Sequence, residues 1–304
     1  MKTRIPCFFL ILPVLLLASC GILHPRSPYT VDYSSFSRKI PMPHLSKSIR
    51  DKFNSKREGE FVTIKKQDGT EVSGYVTDNR AFMEKVMIPT LEPHLYTLKQ
   101  MDPVERINTL TLFGHEIYRT FIGRDYFSWG GDLSDLDDPQ EKGPNYKKRY
   151  GFDCSGFASM PYTLAVELDL LDPEEEAAVF SPQGFEHYSR KHGIEDKGGR
   201  GGTSNRYRVD TADMKNLGRE IFRVPKEGEA LPEDLAKLQA GDIVLLPEGH
   251  AGIVVEIEGA FYYLEAGGWV CPPNGGLPFE IAEALRIFAK KGELVIKRSL
   301  PDRK

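Results

Sequence analysis

The chain lacks a surplus of basic residues. Its 40 Lys and Arg residues are outnumbered by 44 Asp and Glu residues, so the 304-residue chain carries a net charge of −4. Because binding to phosphate backbones requires a basic surface, this balance argues against nucleic acid as the main partner. With 40% hydrophobic and 28% charged residues, the composition is that of an ordinary globular protein, long enough for one large domain with an appendage or for two modest domains.

The sequence also lacks complete metal and nucleotide motifs. The acidic loop 132–138 does not have the register of an EF-hand, and a solvated loop is the favoured interpretation. The glycine run 197–202 lacks the Lys-Ser/Thr of a P-loop and is interpreted as a flexible loop. His187 and His192 are five positions apart, which places them on different faces of a helix. We therefore expect neither a metal nor a cofactor.

Cysteine is scarce, with four in the chain, and the first two belong to a targeting segment. Lys2 and Arg4 precede the apolar stretch 6–17, and Leu17-Ala18-Ser19-Cys20 follows. This arrangement resembles a bacterial lipobox. The resemblance implies a signal peptide over residues 1–19, lipidation of Cys20 and an anchor in the membrane of the cell envelope. The alternatives are an ordinary secretory signal or a retained membrane anchor.

The residue after the lipidated cysteine bears on location. Gly21 rather than Asp stands at this position, which is similar to lipoproteins of the outer membrane. If the cell is Gram-negative, the resemblance implies an outer-membrane anchor with the protein facing the periplasm.

Removal of Cys7 with the signal and lipidation of Cys20 leave Cys154 and Cys271. In an oxidising compartment two remaining cysteines often form a disulfide, and that alternative stays open. The sequence around Cys154 nevertheless favours a chemical role.

Composition divides the rest of the chain into three parts. Residues 20–57 are rich in proline and serine, which predicts a lipidated tether. Residues 58–100 form a small β-containing region in which Asp68-Gly69 is the predicted turn of a hairpin. Residues 101–304 form the main domain, which opens with a helix capped by Asp102 and started by Pro103. His115 lies among apolar residues of this helix, and we interpret it as structural or exposed.

Further helices and strands follow. Asp172-Pro173 and Ser181-Pro182 each predict a helix start, and Gly193 is expected to end the second helix. Two strands are predicted over 240–246 and 250–257, and a third over 260–264. A last helix near 279–288 and a strand over 294–297 complete the prediction.

Cys154 lies where a helix is expected to begin. The residues after it recur with roughly helical spacing, although Pro161 predicts a kink or a later helix start. Exposed backbone N–H groups and the positive end of a helix dipole favour a thiolate over a thiol. A cysteine nucleophile at this position would require a base from elsewhere in the chain.

The predicted strands supply that base. His250 opens one strand and Glu265 follows the end of the next. Because the start of one strand lies beside the end of its antiparallel neighbour, His250 and Glu265 are expected to be close. Cys154, His250 and Glu265 thus meet the requirements of a nucleophile, an imidazole and a group that orients the imidazole.

With these motifs, the sequence resembles the NlpC/P60 cysteine peptidases of bacterial cell-wall turnover. The matching segments lie in the order expected of that family, over roughly residues 102–300: Tyr126 and Trp129-Gly130-Gly131, Phe152-Asp153-Cys154-Ser155-Gly156-Phe157, Gly241-Asp242-Ile243-Val244, His250-Ala251-Gly252-Ile253-Val254, and Leu264-Glu265-Ala266. The resemblance implies a papain-like α+β fold, in which an antiparallel sheet packs against helices and the nucleophile lies at a helix N-terminus. It also implies hydrolysis of γ-D-glutamyl-diamino acid bonds in peptidoglycan stem peptides.

When the roles of the family's residues are carried over by position, the resemblance implies that Cys154 is the nucleophile, His250 the general base and then acid, and Glu265 the residue that orients the imidazole. Tyr126 would help to stabilise the oxyanion, and Asp153 and Ser155 would recognise the substrate's amino end. Packing in the core for Tyr126 and helix capping for Asp153 and Ser155 are equal alternatives.

Two features depart from the family pattern. Its third catalytic position is often His, Asn or Gln, whereas this chain has Glu265. The segment between Cys154 and His250 is also longer than a minimal domain of this kind requires. The remaining alternatives are a non-catalytic, lipid-anchored scaffold and an amidase or acyltransferase with the same triad.

Overall fold

A six-stranded antiparallel sheet flanked by helices forms the main body of the protein. The computed structural model describes residues 60–65, 71–76, 79–121, 133, 152–194, 209–266 and 278–303. The architecture belongs to the α+β class, as predicted. No helix among these residues has both the length and the apolar character needed to cross a membrane.

A pair of strands precedes the main body, and the turn predicted between them at Asp68-Gly69 lies outside the described residues. Strand β1 (Glu60–Lys65) pairs antiparallel with strand β2 (Glu71–Val76) in a separate two-stranded sheet, which confirms the predicted strands. Residues 79–100 then form short helical segments that the sequence did not predict. Their bounds are Asn79–Phe82, Met83–Met87 (a π-helical turn), Ile88–Leu91, Glu92–His94 (a 3₁₀ turn) and Leu95–Gln100.

Helix α1 (Pro103–Phe121) begins directly after Asp102, as predicted from the sequence. One carboxylate oxygen of Asp102 accepts the backbone N–H groups of Val104 and Glu105, both at 2.9 Å. These two bonds satisfy N–H groups that have no partner within the helix.

Helix α2 (Cys154–Glu167) begins at the cysteine itself. The start predicted at Cys154 is therefore confirmed, the alternative of a later start is wrong, and Pro161 lies inside the helix. Every residue from Cys154 to Val166 is buried. A helix enclosed by protein gains stability from packing on all sides, and this burial offsets the backbone hydrogen bond that proline cannot donate.

Helix α3 (Pro182–His192) has the predicted Ser181 cap and ends at Gly193, whose φ of 63° is the left-handed conformation that favours glycine. The helix start predicted at Asp172 is wrong. Asp172 does accept the N–H of Glu174 at 2.9 Å, but only a 3₁₀ turn follows, at Glu176–Ala178. The acidic run after Pro173 offers no apolar face that would hold a longer helix against the core.

The six strands of the main sheet lie in the order β3-β8-β4-β5-β6-β7 and are all antiparallel. Their bounds are β3 Arg219–Val224, β4 Ile243–Leu246, β5 His250–Ile257, β6 Ala260–Leu264, β7 Phe279–Glu280 and β8 Leu294–Arg298. Helix α4 (Ile281–Ala289) follows β7. Shorter helical turns occupy Thr211–Met214, Pro232–Leu235 and Pro247–Gly249.

Helices cover both faces of this sheet. In β4, Ile243 and Leu245 belong to the core shared with α1 and α2, whereas Val244 and Leu246 belong to the core shared with α4. All four residues of β4 are buried. Burial on both faces explains why this strand is a continuous apolar run rather than an alternating one.

Two sets of hydrogen bonds fix the α1 and α2 layer against the sheet. The hydroxyl of Tyr162 in α2 donates to the carbonyl of Gly241 at 2.7 Å. The amide of Asn108 in α1 donates to the carbonyl of Glu256 at 2.8 Å and accepts its N–H at 2.9 Å. The helix that carries Cys154 is therefore connected to the loop before β4, and its neighbour is connected to β5.

The Gly241-Asp242 pair of the sequence motif has a structural role. Gly241 has a φ of 89°, and a Cβ there would lie 2.8 Å from a methyl carbon of Leu300. Asp242 is fully buried and receives two hydrogen bonds from Arg298, at 2.6 and 2.8 Å. This bidentate ion pair connects the loop before β4 with the end of β8.

Candidate active site

Cys154 occupies the first position of α2 and is a free thiol. Asp153 is the N-cap of the helix, and its carboxylate accepts the N–H of Gly156 at 2.7 Å. The thiol thus lies at the positive end of a 14-residue helix, where a thiolate is electrostatically favoured. At 8% exposure the residue is largely enclosed.

His250 and Glu265 form the second part of the site. His250 is the first residue of β5, and Glu265 directly follows β6. Nε2 of His250 lies 2.5 Å from Oε2 of Glu265. The antiparallel pairing of Ile253 with Leu264 brings the two residues together, so the predicted proximity is confirmed.

The imidazole connects this carboxylate with the thiol. Cys154 is a side-chain hydrogen-bond partner of His250. Because Nε2 faces Glu265, Nδ1 is the nitrogen that can face the sulfur. The structure thus brings together the three predicted residues in the order thiol, imidazole, carboxylate.

Electrostatics at the site favour a protonated imidazole. Burial alone would lower the pKa of His250, since it disfavours the charged form. The hydrogen bonds and charges of Cys154 and Glu265 outweigh burial and raise this pKa from 6.5 to about 10. A protonated imidazole beside the sulfur stabilises a thiolate, the nucleophilic form of cysteine.

A fourth side chain that the sequence did not single out contacts the carboxylate. The hydroxyl of Tyr263 donates to Oε2 of Glu265 at 2.7 Å, the same oxygen that faces His250. Tyr263 lies on β6 and its side chain is buried. The only signal in the sequence was its position two residues before Glu265, which places both on one face of the strand.

Asp153 and Ser155 flank Cys154 in the sequence and form a hydrogen bond with each other. The hydroxyl of Ser155 donates to Oδ1 of Asp153 at 3.0 Å, and the same oxygen caps Gly156. The capping alternative for Asp153 therefore describes its observed contact. A role of either residue in substrate recognition stays a prediction.

The predicted oxyanion residue Tyr126, the lipidation site Cys20 and the second cysteine Cys271 lie outside the described residues. His115 is fully buried in α1, with its ring edge-on to Phe157 at a centroid distance of 6.2 Å. The structural interpretation of His115 is consistent with this packing. Among the residues described, no cluster of three or more His, Cys, Asp or Glu side chains is arranged to hold a metal ion.

Comparison of the chain with family models, with curated proteins and with solved structures gave no match.

Proposed function

We propose that this protein is a cysteine hydrolase that cleaves peptide bonds in peptidoglycan stem peptides, of the γ-D-glutamyl-diamino acid type. The observation that carries the proposal is the arrangement of Cys154 at a helix N-terminus, His250 beside it and Glu265 at 2.5 Å from the imidazole. These three groups meet the requirements of nucleophilic catalysis by a thiol.

The substrate class rests on the resemblance to NlpC/P60 peptidases and on the lipobox. A papain-like fold belongs to the same proposal, supported by an antiparallel sheet flanked by helices with the thiol at a helix start. A lipid anchor at Cys20 would hold the domain at a membrane of the cell envelope, the outer membrane in a Gram-negative cell, within reach of peptidoglycan.

In the proposed reaction, the Cys154 thiolate attacks the carbonyl carbon of the scissile amide. The negative charge moves to the carbonyl oxygen, which the backbone N–H of Cys154 stabilises, with Tyr126 as the second donor. His250 gives its proton to the leaving amine, and an acyl-enzyme forms. The neutral imidazole then takes a proton from water, and the attack of that water on the acyl-enzyme releases the acid and restores the thiolate beside a protonated imidazole.

The test uses the full chain purified in detergent, incubated with muropeptides of defined stem length. Mass spectrometry of the products identifies the bond that is cut. We expect cleavage within the stem peptide by the wild type and none by Cys154→Ala. The absence of cleavage by the wild type, or equal cleavage by Cys154→Ala, would refute the proposal.

The same assay separates the alternatives. Release of a whole stem peptide from the sugar would identify an amidase, and transfer to an added amine would identify an acyltransferase. Binding of muropeptides without any turnover would favour the scaffold.

A further inference from the structure

Tyr263 and Glu265 form a hydrogen bond directly beside the imidazole of His250. Oε2 of Glu265 accepts the Tyr263 hydroxyl at 2.7 Å and lies 2.5 Å from Nε2 of His250. A single carboxylate oxygen thus meets both the imidazole and the phenol. Both Glu265 and Tyr263 are buried, at 3% and 1% exposure, so the hydrogen bond lies in a poorly solvated environment where it is strengthened.

A glycine on the neighbouring strand leaves room for the tyrosine ring. A Cβ at Gly252 would lie 2.2 Å from Cε2 of Tyr263 and 2.6 Å from its hydroxyl oxygen. Such distances are far below van der Waals contact, so the ring occupies the space that any other residue at 252 would fill. The ring is therefore seated directly over the β5 backbone, two residues after His250.

The ring is also held by α4. Phe288 packs edge-on against Tyr263 with a centroid distance of 5.0 Å. Because the β5 backbone and α4 both contact the ring, the phenol is held in one position. By contrast, the terminal torsion of a glutamate is broad and permits many orientations of its two oxygens. A fixed donor selects one of these orientations.

We propose that Tyr263 is a positioning residue of the active site: its hydroxyl holds Oε2 of Glu265 toward His250, and Gly252 provides the space in which the phenol does so. This inference rests on the proposed cysteine chemistry and extends it by a fourth residue. Tyr263 contacts neither the thiol nor the substrate in this assignment, and it acts through Glu265.

Among the residues that the structure describes, the titratable groups that raise the pKa of His250 are Cys154 at the start of α2 and Glu265 after β6, and Tyr263 contacts Glu265. The two ways in which the hydroxyl could act predict opposite results. If it orients Glu265, its loss allows the carboxylate to turn away and the imidazolium becomes easier to deprotonate. If it only withdraws charge from a carboxylate fixed by other contacts, its loss strengthens the attraction between Glu265 and the imidazolium.

The experiment measures alkylation of Cys154 by iodoacetamide against pH, in the full chain purified in detergent. The Cys154 peptide is quantified by mass spectrometry, so that the other cysteines do not contribute. A thiolate beside an imidazolium reacts already in mildly acidic solution, and its reactivity changes again when the imidazolium loses its proton. The profile therefore has two steps, and the upper step reports His250.

Tyr263→Phe keeps the ring and removes the hydroxyl. We expect its upper step to move to lower pH by about one unit, the size of effect expected when a hydrogen bond to a charged group is lost. Gly252→Ala retains the hydroxyl but displaces the ring, and the upper step should move in the same direction. The matched control is Tyr262→Phe, the adjacent, half-buried tyrosine of β6 on the opposite face, which should leave the profile unchanged.

Superimposable profiles of Tyr263→Phe and wild type, or an upper step that moves to higher pH, would overturn the positioning role while leaving the cysteine chemistry in place. A wild-type profile with a single step at the pH of an ordinary thiol would show that no thiolate-imidazolium pair forms. That outcome would overturn the proposed function together with the inference built on it.

Discussion

Replacing Glu265 by glutamine removes one negative charge while keeping the length and shape of the side chain. The carboxylate oxygen that faces the imidazole lies 2.5 Å from Nε2 of His250, and Glu265 is 3% exposed. Little water can therefore enter to replace the missing charge. The amide retains an oxygen that can still accept the Tyr263 hydroxyl, so the packing around position 265 is expected to persist.

The size of the effect follows from the titration of His250. A rise in pKa from 6.5 to about 10 corresponds to roughly 5 kcal/mol, at about 1.4 kcal/mol per pKa unit. Cys154 and Glu265 both contribute to this rise against the opposing effect of burial. If Cys154 and Glu265 contribute equally, removal of the Glu265 charge lowers the His250 pKa by roughly two units.

The sign of the stability change follows from the raised pKa. Protonation of His250 stabilises the folded state in full below the unfolded pKa of 6.5, and this stabilisation is lost as the pH rises toward about 10. Wild type should therefore lose roughly 2 kcal/mol more unfolding free energy than Glu265→Gln between about pH 8 and pH 10. In the variant most of the loss is already complete by about pH 8.

Urea unfolding at intervals of pH measures this difference directly, because other titrating groups are common to both proteins. Glu256→Gln is the matched control: it makes the same chemical change in a half-buried side chain near the far end of β5, where the carboxylate contacts Arg303. The unfolding free energy of Glu256→Gln, plotted against pH, should run parallel to that of wild type. Parallel curves for wild type and Glu265→Gln would refute the argument that Glu265 holds a proton on His250.

Two further predictions concern the framework of the site. Arg298→Met should lower the free energy of unfolding, measured in urea, by about 3–5 kcal/mol. The reason is that the substitution leaves the fully buried Asp242 carboxylate without its bidentate partner. A loss below about 1 kcal/mol would contradict the stabilising role of this ion pair. Asp153→Ala should cost about 1 kcal/mol through loss of the α2 cap on Gly156, whereas Asp153→Asn should retain the cap. If Asp153 also recognises the substrate's amino group, Asp153→Asn should raise KM for muropeptides at unchanged stability, and an unchanged KM would exclude that role.

Elements with local signals were predictable from the sequence. Asp102 and Pro103 mark the start of α1, and the alternation of apolar runs with turns marks β4, β5 and β6. In each case neighbouring residues carry the information, through a cap or a strand boundary. The proximity of His250 to Glu265 followed from antiparallel pairing alone.

Elements stabilised by distant contacts were not predictable. Strand β3 (Arg219–Val224) contains charged residues and only two buried positions, and it becomes a strand because β8 pairs with it. Tyr263 looked like any aromatic residue of a strand. Its contact with Glu265 depends on the space above Gly252, which exists only once β5 and β6 are in register.

The position of β8 constrains how the protein is made. This strand (Leu294–Arg298) is drawn from the last part of the sequence, yet it lies inside the sheet between β3 and β4. During synthesis, until residue 298 has emerged, β4 has an unpaired edge and β3 lacks the strand with which it pairs. The half of the sheet that supports β5 and His250 therefore stays incomplete until β8 has paired between β3 and β4.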